Sequence, residues 1–466
     1  MLHTITDWLR ARSVAVRKVL GPTSSEEGDA GQRDPLWSRR KTKVYFDNQD
    51  LDVYLSFTLA RAAARGASLG ESIVAASQVR PRDPGSWARA WSGVAVNAER
   101  HADSLADLDP VGARDAYLRA TTYHRAAIFG QGVEGARHSY AATVGAFRRF
   151  VSLAEVPIEP VTVGWEGWTS PGYFIKARDS VVPAPTILLF LGGETVAEDA
   201  WVWIGEAAAR RGWNTFVAEP PSFLGFRAAN PSYPRVTWQT IEPFLTPYVD
   251  AALRRPEVDP TRLVAAGFSG GGFLALRAAG NDRRIRALVA DAPIVDFNRL
   301  ATAEFPKALL SAPKAVIDSV IAATARRDPF LAVTLEKFRW QFGAEDVTEF
   351  FAAFEGTSNA ELVASLDIPV LALSGEGESE EQRRQANEAY AALRGPKRLR
   401  TFTAAEGAEA HTQVNHPALM QETIFAWLAE VFGPQAGRPP LTSAPAAEDG
   451  HVTPATTTRA STSGLG

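Results

Sequence analysis

The stretch GFSGG at residues 267–271 constrains the fold of this chain more than any other part of its sequence. It has the pattern G-x-S-x-G, follows the apolar run at 262–266 and precedes a helix-like segment that begins near residue 272. A serine between a strand and a helix needs a strained backbone, and side chains two residues away would crowd it, which explains the glycines. The turn also presents the hydroxyl of Ser269 at a helix amino terminus, where amide groups favour negative charge. The alternative is an ordinary glycine-rich entry into a helix.

Short apolar runs separated by helix-length segments continue on both sides of this motif. This pattern is typical of a mostly parallel sheet with helices on both faces. The runs lie at residues 156–163, 186–191, 215–218, 262–266, 287–290, 370–373 and 398–402. We therefore predict an α/β domain over residues 151–434, with a helical insertion at about 297–367 before the strand at 370–373.

The remaining parts of the chain have a different character. Residues 45–150 carry apolar side chains at spacings of three and four, which predicts an all-helical domain. Residues 1–44 read as a short basic amphipathic helix followed by a polar linker, and not as a signal peptide, because arginine and lysine interrupt the apolar residues. Residues 435–466 are rich in Pro, Ala, Ser and Thr, so we expect a disordered tail.

Composition narrows the classes of function. The chain has 466 residues, of which 45% are hydrophobic and 22% charged, with a net charge of −4 and no cysteine. Disulfides, thiolate metal sites and a cysteine nucleophile are therefore excluded, and nothing points to nucleic acid as a partner. No stretch approaches the roughly 18 apolar residues of a membrane span. We expect a soluble, cytoplasmic protein that acts on a small molecule.

A serine nucleophile needs a base, and a histidine held by a carboxylate is the usual one. In the fold that G-x-S-x-G suggests, the chain order is serine, acid, histidine. Of the seven histidines, only His411 and His416 lie between the serine and the tail. His411 is in a loop after the last predicted strand and is our candidate base, whereas His416 directly precedes Pro417 and reads as the entry into the final helix.

The acid and the oxyanion hole have candidates in two glycine-containing loops. Glu378 is our first candidate for the acid and Glu376 the second, although either can equally be a solvated loop carboxylate. For the oxyanion hole we expect the amide of Gly270 and one from the loop after residues 186–191, where Gly193 and Glu194 lie. The alternative for that loop is a plain turn at the end of a strand.

These segments together resemble the α/β-hydrolase superfamily, and more narrowly its branch with an amino-terminal helical domain. That branch includes 2,6-dihydroxypseudooxynicotine hydrolase, fungal hydrolases that shorten polyketides, and fermentation-respiration switch proteins. The resemblance covers about residues 87–431 and rests on DAYLRATTYHRAAIF, FLGGETVAED, the long segment around GFSGGG, and GAEAHTQVNH. It implies Ser269 as nucleophile, His411 as base and an acid at the position of Glu378, where the family more often has aspartate.

The resemblance also implies where the substrate binds. Family members place the active site between the helical domain and the α/β domain, so Tyr123, His124 and Arg125 are candidate substrate contacts. The alternative is that these three side chains pack within the helix bundle. Glu198, in an acidic position after the hole loop, and Phe268, next to the serine, complete the candidates.

The function that follows is hydrolysis of an ester, a lactone or a carbon–carbon bond beside a ketone. The 12 tryptophans and 24 phenylalanines would suit an aromatic or polyketide-like metabolite, although most aromatic side chains are core residues. One alternative uses the same triad for elimination, acyl transfer or cyclisation in a biosynthetic pathway. A second is a non-catalytic binding or regulatory protein on a hydrolase scaffold. We expect no metal and no cofactor, and a homodimer stays open because related enzymes can be dimers.

Overall fold

The computed structural model describes residues 43–433 except 181, 304–308 and 310. The predicted amino-terminal helix and the predicted tail lie outside the described residues. Within the described part of the chain, no helix is both long and apolar enough to cross a membrane.

A helical region comes first. Two neighbouring helices of this region begin in the same way. Asp83 and Asp109 each cap a helix whose first residue is a proline, and each accepts a hydrogen bond from a backbone amide of the first turn. The helices of this region are α1 Gln49–Ala60, α2 Leu69–Ser77, α3 Pro84–Leu105, α4 Pro110–Ala127 and α5 Val133–Ser152. Their common core is built around Trp87 and Trp91, which are fully buried.

A mostly parallel sheet follows, with strand order β1-β2-β4-β3-β5-β6-β7-β8. The pairs β1 with β2 and β2 with β4 are antiparallel, and all other neighbouring pairs are parallel. The strands are β1 Ile158–Trp165, β2 Trp168–Ile175, β3 Ala184–Phe190, β4 Asn214–Ala218, β5 Val258–Phe268, β6 Ala287–Asp291, β7 Val370–Gly375 and β8 Lys397–Phe402. Because β5 to β8 are parallel neighbours, their carboxyl ends meet at one edge of the sheet.

Helices cover the sheet and form the insertion between β6 and β7. Those outside the insertion are α6 Glu206–Ala209, which continues a π-helical turn at Trp201–Gly205, α7 Leu224–Ala229, α8 Trp238–Leu253 and α9 Gly270–Asn281. The insertion contains α10 Phe297–Thr302, α11 Lys314–Arg327, α12 Pro329–Phe342, α13 Val347–Ala352 and α14 Ala360–Ser365. After β7 come α15 Glu380–Ala392 and α16 Pro417–Phe432.

The predicted fold class is confirmed: a helical region precedes a mostly parallel sheet, and a helical insertion precedes β7. The strand β2 was not among the predicted ones. It contains Pro171 and Gly172, which weaken a strand pattern. The structure explains the glycine, because a side chain at Gly172 would collide with the carbonyl oxygen of Val217 on β4.

Candidate active site

Ser269 stands at the turn between β5 and α9, with a strained backbone. Its φ is 56° and its ψ is −124°, an unfavourable region for a residue with a side chain. Its amide donates to the carbonyl oxygen of Asp291 at 2.5 Å, which ties the turn to the end of β6. A Cβ on Gly267 would collide with the carbonyl of Gly271, and one on Gly271 would collide with the carbonyl of Phe190. The glycines of the motif are therefore required by close backbone approach.

His411 and Glu378 contact each other behind this turn. His411 lies in the 3₁₀ turn after β8, and its Nδ1 is 3.1 Å from Oε1 of Glu378, which follows β7 and is fully buried. The amide oxygen of Gln382 accepts hydrogen bonds from Ser379, so the amide nitrogen is the atom that faces His411, at 3.1 Å from Nδ1. An ionised carboxylate can only accept, so we assign the imidazole proton to Nδ1, where it is donated to Glu378; the amide nitrogen of Gln382, itself a donor, then contacts Nδ1 without a hydrogen bond. Nε2 is then left as the basic nitrogen.

The sheet brings Ser269 and His411 to the same edge without a hydrogen bond between them. Ser269 follows β5 and His411 follows β8, two parallel strands of the same sheet. The Nε2 atom of His411 is buried and has no hydrogen-bond partner among the described residues. Hydrogen bonds of this kind commonly tighten only when a substrate is bound.

The second candidates for acid and base lie in other contacts. Glu376 accepts a hydrogen bond from the amide of Ala404 at 3.0 Å and none from His411. His416 is the N-cap of α16, where its Nδ1 accepts from the amide of Leu419 at 3.2 Å. Of the two glutamates and two histidines weighed from the sequence, the structure therefore brings Glu378 and His411 together.

Asp291, the last residue of β6, is a site residue that the motif did not indicate. It is fully buried, and neither carboxylate oxygen forms a hydrogen bond of good geometry, although Gln413 lies beside it. Burial first, and then the charge of Glu378, raise the pKa of Asp291 well above its usual range. Its sequence signal is only a carboxylate directly after an apolar run.

The loop after β3 faces the serine through its two glycines. A Cβ placed on Gly192 would lie 3.6 Å from Oγ of Ser269, and one placed on Gly270 would lie 3.8 Å from the amide nitrogen of Gly193. Of the two loop residues predicted for an oxyanion hole, Gly193 thus has its amide beside Gly270. For Glu194 the observed contact is through its carbonyl oxygen, which accepts from Arg125 at 2.5 Å.

A buried ion cluster fixes this loop to the helical region. Asp199 pairs with Nη2 of Arg61 at 2.5 Å and with Nε of Arg125 at 3.1 Å, and both guanidinium groups lie over the ring of Phe57. Burial alone would raise the pKa of Asp199, but the two arginines outweigh it and hold the pKa below its usual range. Arg125 therefore links Asp199 to the carbonyl of Glu194, as a residue that positions the loop.

Four of the five predicted substrate contacts do not line the cavity beside this loop. Tyr123 is fully buried in the helix bundle, where its hydroxyl donates to Glu71 at 2.7 Å. His124 lies 3.4 Å from Glu99, and burial lowers its pKa. Tyr123 and His124 are thus better described by the alternative of packing within the bundle.

The other two are held inside the α/β domain. Phe268 is buried edge-to-face against Trp203, with ring centroids 5.8 Å apart. Glu198 is buried and accepts from the hydroxyl of Tyr173 at 2.7 Å. Only Arg125 of the five lines the cavity.

This cavity lies between the helical region, the insertion and the loop after β3. It has about 50 Å³ of free space, room for a few ordered waters or a short acyl chain. Its lining residues are Tyr54, Arg125, Ile128, Phe129, Gly193, Glu194, Thr195, Val196, Leu224, Thr334, Lys337, Phe338 and Gln341. No group of three histidine, aspartate or glutamate side chains within the described ranges is arranged as metal ligands.

Comparisons with known proteins agree with this architecture. A family model for acetyl xylan esterase matches residues 245–308. Alpha/beta hydrolase xenA of Xenoacremonium sinensis is 26% identical over 358 residues, which is 72% of this chain and 84% of that protein. Alpha/beta hydrolase psoB of Aspergillus fumigatus is 32% identical over 248 residues, 50% of this chain and 55% of that protein.

Among solved structures, 2,6-dihydroxy-pseudo-oxynicotine hydrolase superposes with a TM-score of 0.58 at 17% identity, covering 80% of this chain and 95% of that one. At this identity the superposition shows the fold alone. The hydrolase relatives and the strand order agree with this fold. The chain is similar in sequence to α/β hydrolases and has their fold.

Proposed function

We propose that the protein is a serine hydrolase with Ser269 as nucleophile, His411 as base and Glu378 as the acid that orients the imidazole. Nε2 of His411 takes the proton from the Ser269 hydroxyl as Oγ attacks a carbonyl carbon. The resulting oxyanion accepts hydrogen bonds from the amides of Gly193 and Gly270. Protonated His411 then gives its proton to the leaving group, and a water molecule cleaves the acyl-enzyme by the same steps.

One observation carries this proposal: an unbonded, buried imidazole nitrogen at the sheet edge where a strained serine begins a helix. The imidazole is held from its other side by Glu378 at 3.1 Å, which favours the tautomer with a free Nε2. In the part of the chain that the structure describes, the amides of Gly193 and Gly270 donate to no protein acceptor. They are available to an oxyanion.

The bond that is cleaved is an ester, a lactone or a carbon–carbon bond beside a ketone. The matched esterase family model supports the first, and the same serine attack on the carbonyl of a lactone or a ketone would give the other two. In the carbon–carbon case the leaving group departs as an enolate, and His411 protonates its carbon. The aromatic side chains at the cavity, Phe129 and Phe338, support a small apolar or aromatic acyl group.

The test is the intact mass of the protein after treatment with a fluorophosphonate probe. Wild type gains a single adduct, and Ser269→Ala gains none. Ser365→Ala removes a hydroxyl whose only described bond is to its own helix, and this control keeps the adduct. Absence of an adduct on wild type would contradict the proposal.

The histidine pair gives a second test. His411→Gln is expected to lower kcat for a 4-nitrophenyl ester by about four orders of magnitude, because the serine then has no base. His416→Gln keeps an acceptor at the helix cap and leaves kcat within about twofold. Equal effects of the two variants would rule out the assigned base.

A further inference from the structure

Lys337 is a buried cation that the proposed chemistry does not use. It lies on α12 of the insertion and is 8% exposed. Its Nζ donates to the carbonyl oxygens of Ile128 at 2.6 Å and Phe129 at 3.0 Å, at the end of α4. A lysine ammonium has three N–H donors, so two are used by the backbone and one is left.

No carboxylate is in hydrogen-bond contact with this ammonium in the described part of the chain. Within the described residues Lys337 forms no ion pair, and its hydrogen bonds are the two to backbone carbonyls. Glu194 on the hole loop and Glu336 on its own helix face it from a greater distance, and Arg125 on α4 opposes them. Burial lowers the pKa of Lys337 to about 7. Buried lysines are nearly always paired, so this one has an unfilled place for a negative partner.

The cavity connects this lysine to the proposed oxyanion hole. Lys337 and Gly193 both line it, and Gly193 also has its amide beside Gly270. Phe338 also lines the cavity, and its ring lies 3.9 Å from a Cβ placed on Gly193. An acyl group whose carbonyl oxygen lies at Gly193 therefore extends along an apolar wall towards Nζ.

We propose that Lys337 determines specificity by binding an anionic oxygen on the acyl part of the substrate, such as that of a carboxylate, an enolate or a phenolate. The remaining N–H of Nζ donates to this oxygen, and the substrate supplies the missing negative charge. This rests on the proposed function, because it takes the acyl group to be held at Gly193. It deepens that function by naming a class of substrate.

A purely structural role for Lys337 is the competing explanation, since lysines often bind the last carbonyls of a helix. Lys397 does this on the surface, where it donates to the carbonyls of Tyr390 and Leu393 at 2.8 Å each. Lys397→Met is therefore a matched control. It removes the same kind of helix contact at a place remote from the cavity.

The experiment compares two esters with acyl chains of equal length. Mono-4-nitrophenyl adipate ends in a carboxylate, and 4-nitrophenyl hexanoate is neutral. We expect Lys337→Met to lower the ratio of kcat/KM for the anionic ester to that for the neutral ester by about tenfold or more, as for a lost hydrogen bond to a charged group. Lys397→Met leaves the ratio at the wild-type value. A structural role would change the melting temperature and both esters alike, and an unchanged ratio overturns the proposal.

Two further measurements keep the proposal open to refutation if Lys337→Met does not fold. Lys337→Gln keeps two N–H donors for the carbonyls without the charge, and the ratio should fall in the same way. In wild type the ratio should decline between pH 6 and pH 9 as the ammonium loses its proton, and a flat ratio overturns the proposal. Fluorophosphonate labelling separates the two hypotheses: labelled proteins with an unchanged ratio refute only the role of Lys337, whereas an unlabelled wild type refutes the serine mechanism.

Discussion

Glu198 and Asp199 are neighbours in sequence and almost equally buried, at 3% and 5% exposed, yet their surroundings move their pKa values in opposite directions. Asp199 lies between two arginines of the helical region, which hold its pKa below the usual range. Glu198 accepts a hydrogen bond from the hydroxyl of Tyr173 and, among the described residues, faces no cation of the helical region at ion-pair distance, and burial raises its pKa to about 7. The two adjacent carboxyl groups therefore lose their protons in different pH ranges.

A second carboxyl group shares the surroundings of Glu198. Glu219 accepts three backbone hydrogen bonds, from the amides of Ala197, Gly225 and Phe226. Burial, and then the charge of Glu198, raise the pKa of Glu219 to about 8, above that of Glu198. Three backbone N–H donors nevertheless favour the charged form of Glu219, and on this geometric ground we assign the proton of the pair to Glu198. The comparison teaches that partners from the helical region, and not depth of burial, decide which carboxylate of this loop is ionised.

The largest effect is expected from Asp199→Asn. It leaves two buried guanidinium groups without a counter-charge, because Arg61 and Arg125 both depend on this carboxylate. The free energy of unfolding at pH 7 should fall by about 3–5 kcal/mol. Urea denaturation followed by circular dichroism measures it.

Glu430→Gln is the matched control for that loss. Glu430 pairs with Arg398 on the surface, with both side chains more than half exposed. Removing this charge should leave the urea midpoint unchanged within error. If Asp199→Asn were as mild as this control, the cluster would not stabilise the junction between the helical region and the sheet.

Replacing the adjacent residue, Glu198, by glutamine should raise the free energy of unfolding at high pH, whereas Asp199→Asn lowers it. Because the folded pKa of Glu198 is raised, its contribution to stability is present below about 4.5 and is lost as pH rises to about 7. Glu198→Gln mimics the protonated form, so the fall in stability over this window should lessen by up to about 1.4 kcal/mol per pH unit. Urea midpoints at pH 5, 6, 7 and 8 measure the slope. Equal slopes in wild type and variant would contradict a proton on Glu198.

The smallest effect is expected from Tyr173→Phe. The hydroxyl of Tyr173 donates to Glu198 at 2.7 Å inside the protein, and its loss should cost about 1 kcal/mol. The loss should be larger at pH 8 than at pH 5, because the hydrogen bond is stronger to the charged carboxylate. Thermal melts at both pH values test this, and a loss of stability that does not depend on pH would contradict the ionisation of Glu198 between them.

The sequence predicted those features that depend on contiguous residues. The fold class follows from short apolar runs separated by helix-length segments, and the strained turn at Ser269 follows from one pentapeptide between a strand and a helix. The choice between Glu376 and Glu378 could not be made in this way, because two residues separated by one position in a loop differ only in how that loop is folded.

Contacts between segments that are distant along the chain could not be predicted from sequence patterns. Asp199 is 138 positions from Arg61, and Lys337 is 209 positions from Ile128. No sequence pattern around either residue of these pairs indicates its partner. Tyr123 was a candidate substrate contact through the family resemblance, with packing in the bundle as the alternative, and its hydroxyl is bound to Glu71 within the bundle.

The link through Arg125 bears on how such enzymes can be recombined. Its guanidinium joins Asp199 to the carbonyl of Glu194, so one side chain of the helical region restrains the loop after β3, which lies beside Ser269. A cap transplanted from a relative would have to bring a cation to the same point. We therefore expect that the helical region and the sheet domain of this chain can be exchanged only as a matched pair.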